Sequence, residues 1–143
     1  MPEVAITFRF CYGHRLMGYE GKCNRLHGHN ARVIVTFTRP TLDEQGFVVD
    51  FAKAKSLVNM ILDRQFDHFM FLEAADPAAY ALGSLGEVLV TLDVPPTVEN
   101  LARKLFGLIA GYAGHNDFGP GVSVTCLEMF ETDGCSTRVR SIE

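Results

Sequence analysis

The sequence predicts an α+β domain in which a four-stranded antiparallel sheet carries two helices on one face. Two alternating apolar runs open the chain, two stretches of helical periodicity fill its middle, and two further strand-like runs close it around an Asp-Gly turn. Strands and helices thus fall into separate blocks, in the order strand, strand, helix, helix, strand, strand. Without regular alternation of the two, the strands pair antiparallel and the helices gather on one face.

The first run, Val4 to Phe10, has apolar residues at every second position, the period of a half-buried strand, and His14 follows just past its end. The second, Ala31 to Thr38, sets Val33, Val35 and Phe37 on one face before Arg39-Pro40 stops it. After Gly46 the short run FVVDF reads as a strand leading into a helix, with Asp50 placed to cap the first turn. Phe51, Ala54, Leu57, Val58, Ile61 and Leu62 then recur at helical spacing and should face the core. Residues Glu73 to Val94, broken by Asp76-Pro77, Gly83 and Gly86, read as an excursion between the two helices. Pro95-Pro96-Thr97 ends that excursion and offers a threonine cap for a second amphipathic helix marked by Val98, Leu101, Ala102, Leu105, Phe106 and Ile109. Gly111 and Gly114 terminate it, and the runs Val122 to Phe130 and Cys135 to Ile142 form a hairpin around Asp133-Gly134. No repeat, linker or low-complexity stretch interrupts this order, so residues 1–143 read as one domain. An open sheet has two edges, and their pairing between copies makes a homo-oligomer the expectation.

Composition narrows the function. With 48% hydrophobic and 21% charged residues the chain is of ordinary globular type, neither disordered nor collagen-like. A formal net charge of -4 provides no general basic field, which disfavours nucleic acid and points to a small-molecule ligand. The start MPEVAITFRF carries an acid at position 3 and does not read as a signal peptide, and no apolar stretch is long enough to span a membrane. A cytoplasmic location is the default, where Cys11, Cys23, Cys126 and Cys135 would stay reduced.

The chemistry concentrates between the first two strands, in CNRLHGHN at Cys23 to Asn30. If His27-Gly28-His29 runs into the second strand without a break, its period of two points both imidazoles to one face. His14, at the end of the first strand, can be brought opposite them by hairpin pairing. Three neutral imidazoles with an open position match a catalytic zinc site. Cys23, flanked by Lys22 and Arg25, is open to three readings: a fourth ligand, a buried small residue, or a nucleophile or base. Asp67-His68 after the first helix is a candidate carboxylate-supported imidazole able to relay a proton.

Six short motifs in order, FRFCYGH (8–14), CNRLHGHN (23–30), GFVVDF (46–51), FDH (66–68), PTVEN (96–100) and FET (130–132), resemble the 6-pyruvoyl-tetrahydropterin synthase family, which includes the bacterial 6-carboxy-tetrahydropterin synthases. The resemblance spans nearly the whole chain. It implies a tunnelling fold, in which subunits, as a trimer or a dimer of trimers, join their sheets into a barrel with active sites at the interfaces. It also implies that His14, His27 and His29 bind Zn2+, that Cys23 is the base, and that Asp67 and His68 complete a proton relay. Glu131 would anchor the pterin ring, with Thr97 nearby. A carboxylate suits that task because it accepts paired hydrogen bonds from a planar two-donor edge.

Three residues separate Cys23 from the HGH triplet, a gap similar to that of the carboxy-forming enzymes of the queuosine (deazapurine) route. The implied substrate is 7,8-dihydroneopterin triphosphate, a small-molecule partner. It would be converted to 6-carboxy-5,6,7,8-tetrahydropterin with release of acetaldehyde and triphosphate, with Lys22 and Arg25 as candidate triphosphate contacts. The alternatives are pyruvoyl-tetrahydropterin formation, which eliminates triphosphate without carbon–carbon cleavage, and a pterin- or metal-binding module without turnover.

Overall fold

The alternation in the first two runs extends beyond their apolar residues, and so do the strands. In the computed structural model, which describes residues 1–142, β1 covers Glu3–His14 and β2 covers His27–Thr38. They pair antiparallel along their full length, from Glu3 opposite Thr38 to His14 opposite His27. His14 therefore belongs to the strand and does not lie past its end. The HGH triplet enters β2 unbroken, as the period of two requires.

The two expected helices are present. Helix α1, Phe51–Gln65, begins at Asp50, whose side chain accepts hydrogen bonds from Ala52 N and Lys53 N. The later helix, Val98–Gly114, is capped by Thr97, which accepts from Asn100 N. Between them lies β3 at Phe69–Glu73, and the Glu73 to Val94 excursion that follows has structure of its own: α2 at Pro77–Ser84 and β4 at Leu89–Leu92. The later helix is thus α3. Asp76 caps α2 by accepting from Ala78 N, with Pro77 in the first turn, where its missing N–H costs nothing. The closing hairpin is β5, Ser123–Thr132, and β6, Cys135–Arg140, joined at Asp133-Gly134.

Among the described residues the sheet has six strands in the order β4-β3-β1-β2-β5-β6. This corrects the expected four-stranded antiparallel sheet. β3 runs parallel to both β1 and β4, so the sheet is mixed. The added strands escaped detection for a physical reason. β3 is the five-residue run FMFLE, in which Phe71 and Leu72 are adjacent yet both fully buried. A short strand buried on both faces carries no alternation to detect. A second correction concerns FVVDF: Phe47 to Val49 form no strand. Val48 and Val49 are buried within a loop whose turn is closed on Asp43 Oδ1, which accepts from Gln45 N and Phe47 N.

The inner face of the sheet carries Ile6, Phe8, Phe10, Val33, Val35, Phe37, Leu127 and Met129, all buried. The same core includes Ala54, Val58 and Ile61 of α1 and Leu101, Leu105 and Ile109 of α3. The third expected feature, helices covering one face, therefore holds. Burying a side chain of this size is worth about 1.5–3 kcal/mol, so the central strands are held firmly in register. No helix is long and apolar enough to cross a membrane among the described residues.

Candidate active site

The buried face of β1 continues from Phe10 through Tyr12 to His14, and on β2 the same face runs from Ala31 back through His29 to His27. In register, Tyr12 stands opposite His29 and His14 opposite His27. The hydrophobic face thus ends in three imidazoles, whose ring centroids lie 4.6–5.1 Å apart. One nitrogen from each falls within 4.8 Å of the others. Gly28 between the histidines leaves room for the close strand pairing there, since a Cβ would come 3.0 Å from the Tyr12 carbonyl oxygen.

The hydrogen bonds settle which nitrogens face inward. His14 Nδ1 is 2.7 Å from Pro96 O and His27 Nδ1 is 2.6 Å from Arg25 O. A carbonyl oxygen can only accept, so both Nδ1 atoms carry the hydrogen and both neutral Nε2 atoms present a lone pair. His14 Nε2 and His29 Nε2 lie 3.2 Å apart. Burial lowers the pKa of both rings, against the opposing pull of Glu131, and so favours the neutral form. Neutral rings with oriented lone pairs are the donor set a zinc ion requires, and these residues fit one.

Glu131 shares the inner face of β5 with Leu127 and Met129, and its Oε1 approaches both His14 Nε2 and His29 Nε2 at 3.5 Å. Tyr12, whose hydroxyl pKa is raised by burial and by Glu131, donates to the same oxygen at 3.1 Å. Thr97 stands next to Pro96, the residue that orients His14, and caps α3.

On the outer face of β1 a second cluster joins Cys11, Asp67 and His68. Asp67 Oδ1 lies 3.0 Å from His68 Nδ1 and accepts from Cys11 N at 3.0 Å. Burial alone would raise the Asp67 carboxyl, but these hydrogen bonds outweigh it and hold the group below the usual range. His68 adopts φ 65°, a left-handed conformation rare for a residue with a side chain, and donates its own N–H to Cys11 O at 2.7 Å.

A cleft of about 520 Å³ links the two clusters, with Cys11, His27, His29, His68, Met70 and Glu87 among its lining residues. That volume suits a small-molecule ligand. The sequence-predicted residues His14, His27, His29 and Glu131 are gathered at one point, and Asp67 and His68 meet at a second. Cys23 lies half-buried on the 3-10 turn Lys22–Asn24, outside both clusters, where its carbonyl accepts from Leu16 N. Two participants were not anticipated, Cys11 and Tyr12. Both lie inside the FRFCYGH motif, and alternation along β1 would have put Tyr12 on the histidine face and Cys11 on the opposite one.

The family model for 6-pyruvoyl tetrahydropterin synthase matches residues 3–141. The chain belongs to the 6-pyruvoyl tetrahydropterin synthase family. A relative, the 6-carboxy-5,6,7,8-tetrahydropterin synthase of Rickettsia bellii, is 32% identical over 97% of this chain and 100% of its own. An uncharacterized protein of Wolinella succinogenes superposes with a TM-score of 0.83 at 25% identity, over 99% of this chain and 98% of its own. The 6-pyruvoyl tetrahydropterin synthase of Caenorhabditis elegans shares the fold, with a TM-score of 0.65 at 23% identity over 99% and 98% of the two chains. A tetrahydropterin synthase-type activity follows from family membership.

Proposed function

We propose that this family member is a zinc-dependent 6-carboxy-tetrahydropterin synthase, a lyase acting on 7,8-dihydroneopterin triphosphate in deazapurine (queuosine) biosynthesis. The observation that carries the reading is the convergence of His14, His27 and His29, two of them with Nδ1 tied to carbonyl oxygens. The name of the relative from Rickettsia bellii supports the carboxy product. In this reading residues 1–143 act as a single domain in the cytoplasm, and copies pair through the edge strands β4 and β6.

His14, His27 and His29 would hold the zinc. When bound, the metal supplies Lewis-acid stabilisation of charge on substrate oxygen. The remaining roles belong to the chain's own residues. Glu131 accepts hydrogen bonds from the aminopyrimidine edge of the pterin and so sets the ring's orientation, while Tyr12 fixes the carboxylate. Thr97 positions the loop through which Pro96 steadies His14. Cys23 removes a carbon-bound proton, and His68, kept in place by Asp67, moves a second proton at the other side of the substrate. Triphosphate leaves, and cleavage of the carbon–carbon bond, with the oxygen of one water molecule added to the carbon that stays on the ring, gives the carboxylate and releases acetaldehyde.

The test is incubation of zinc-loaded protein with dihydroneopterin triphosphate and identification of products by mass. Acetaldehyde together with the carboxy product supports the reading. Triphosphate release without acetaldehyde would assign the pyruvoyl reaction instead, and unchanged substrate would leave a binding module.

A further inference from the structure

The face of the sheet turned away from the helices sets two arginines side by side. Arg9 of β1 stands directly opposite Arg32 of β2 in the antiparallel register. Cβ atoms so paired lie about 4.5–5.5 Å apart, and like charges in that position destabilise a sheet. No carboxylate among the described residues forms an ion pair with either guanidinium, whereas Arg15, Arg39 and Arg138 each have one. Glu128 on the same face is already engaged: its Oε1 accepts from Ser136 Oγ at 2.7 Å and its Oε2 lies 3.0 Å from Arg138 Nε. Asp67, beside Cys11, is held by His68 and by Cys11 N. Arg32 lays its guanidinium on the ring of Phe130, its partner on β5, with Cζ 3.8 Å from the centroid. Stacking occupies the flat face of the group and leaves the N–H donors along its edge.

The pair adjoins the cleft. Next along the same face come Cys11 and Asn30, which stand opposite one another and both line it. One strand repeat, about 7 Å, separates the two rows. Among the described residues no Lys or Arg lines the cleft, and Glu87 adds a negative charge to its wall. An anion with several charges that extends from the cleft along this face meets fixed cations at Arg9 and Arg32.

We propose that Arg9 and Arg32 form a binding site for a phosphate chain, seated between the two guanidinium groups and extending over the Cys11 and Asn30 row toward the cleft. The planar fork of each arginine donates paired hydrogen bonds to phosphate oxygens, and the Asn30 amide adds further donors. The bound anion replaces the repulsion across the strands by attraction to both. Two molecules carry this chemistry, free inorganic triphosphate and the triphosphate tail of a pterin substrate. The second rests on the synthase reading given above, and the first does not.

The full chain, with no metal added so that the polyphosphate stays uncomplexed, is titrated calorimetrically with sodium triphosphate. Binding should weaken about tenfold in Arg9→Gln and again in Arg32→Gln, the lower end for hydrogen bonds to a charged group, and should fall as salt rises. Arg140→Gln removes the same charge from the same face, opposite Cys126 and further along β5, and should change the affinity by less than about twofold. Arg9→Gln relieves the repulsion in the free protein, so its urea midpoint should not fall below that of the unaltered chain, which also shows that the variant is folded. No binding of triphosphate, an affinity unchanged by both substitutions, or an equal loss in Arg140→Gln would overturn the proposal. Dihydroneopterin triphosphate and dihydroneopterin, titrated in the same way, identify the source. A loss for the triphosphate ester alone assigns the substrate tail, no loss for either assigns the free anion, and an equal loss for both would overturn a phosphate site. Because anion binding is read and not turnover, failure here leaves the synthase reading standing with Lys22 and Arg25 as its triphosphate contacts, and failure of that reading leaves the free-anion site intact.

Discussion

At the residue scale, the roles proposed for three side chains are separable. His29→Ala removes one of three lone pairs from the histidine cluster, and zinc binding should weaken by more than about 100-fold, beyond the usual cost of losing an outer-shell partner. Metal content after dialysis checks this; full zinc in the variant would reject the site. Glu131→Gln keeps the size of the side chain but puts a donor where the proposed pterin contact needs an acceptor. It should leave zinc content unchanged and lower kcat/KM by about 10–100-fold, the worth of one hydrogen bond to a charged group. Normal kinetics would reduce Glu131 to a partner of Tyr12. Cys23→Ala should keep the zinc and lose about 10²–10⁴-fold in turnover if Cys23 is the base. Its place on the 3-10 turn, outside both clusters, makes the measurement a stringent one. Zinc lost in step with activity would make it a ligand, and full activity a bystander.

At the element scale, the excursion is fastened to the histidine end of β1. Arg15, the residue after His14, makes a two-pronged ion pair with the fully buried carboxylate of Asp76, one prong being Nε to Oδ2 at 2.7 Å. The same carboxylate caps α2. The Arg15 hydrogen bond is the main reason the Asp76 carboxyl titrates below its ordinary range. In the unfolded chain an aspartate binds its proton near pH ~3.9. The native state binds it only at lower pH, so this pair stabilises the fold above that value and its contribution disappears as pH falls through the native pKa. Asp76→Asn should cost about 1.5–3 kcal/mol near neutrality, since the amide can still cap α2 but cannot pair with the guanidinium. It should also flatten the acid limb of the stability curve. Urea midpoints measured from pH 7 down to about 3 test both expectations, and parallel curves for the two proteins would assign the pair no energetic part.

At the scale of the whole molecule, the histidine cluster is the end of the hydrophobic core. Tyr12 and His14 continue the buried row of β1, and His14 is itself buried. An ion bound there by three side chains from two paired strands binds the folded chain and not the unfolded one. Zinc at a hundredfold excess over its dissociation constant should therefore stabilise the fold by about 2.7 kcal/mol. For a chain of this size that raises Tm by ~5–10 °C. Chelation followed by calorimetry would reverse the gain, and an unchanged Tm would show that the histidines hold no ion in solution.

Much of this architecture was legible in the sequence because local rules dictated it. The period of two in β1 and β2, the Asp50 and Thr97 caps, the helical stripes apart from Phe51, which is exposed, and the Asp133-Gly134 turn are each decided by neighbouring residues, and each is present. The convergence of His27 and His29 follows from the same period, and His14 joins them because a long antiparallel pair has one register. What only the tertiary structure decided depends on distant partners. β3 is a strand because β1 and β4 flank it in parallel, and burial on both faces erased its pattern. FVVDF has the composition of a strand, yet Val48 and Val49 are buried in a loop. Cys11 meets His68 across 57 positions of chain, through a left-handed histidine that nothing in the neighbouring sequence signals. Local periodicity and capping energies can be read from a few adjacent residues, whereas parallel pairing and a strained backbone exist only where the rest of the fold holds them in place.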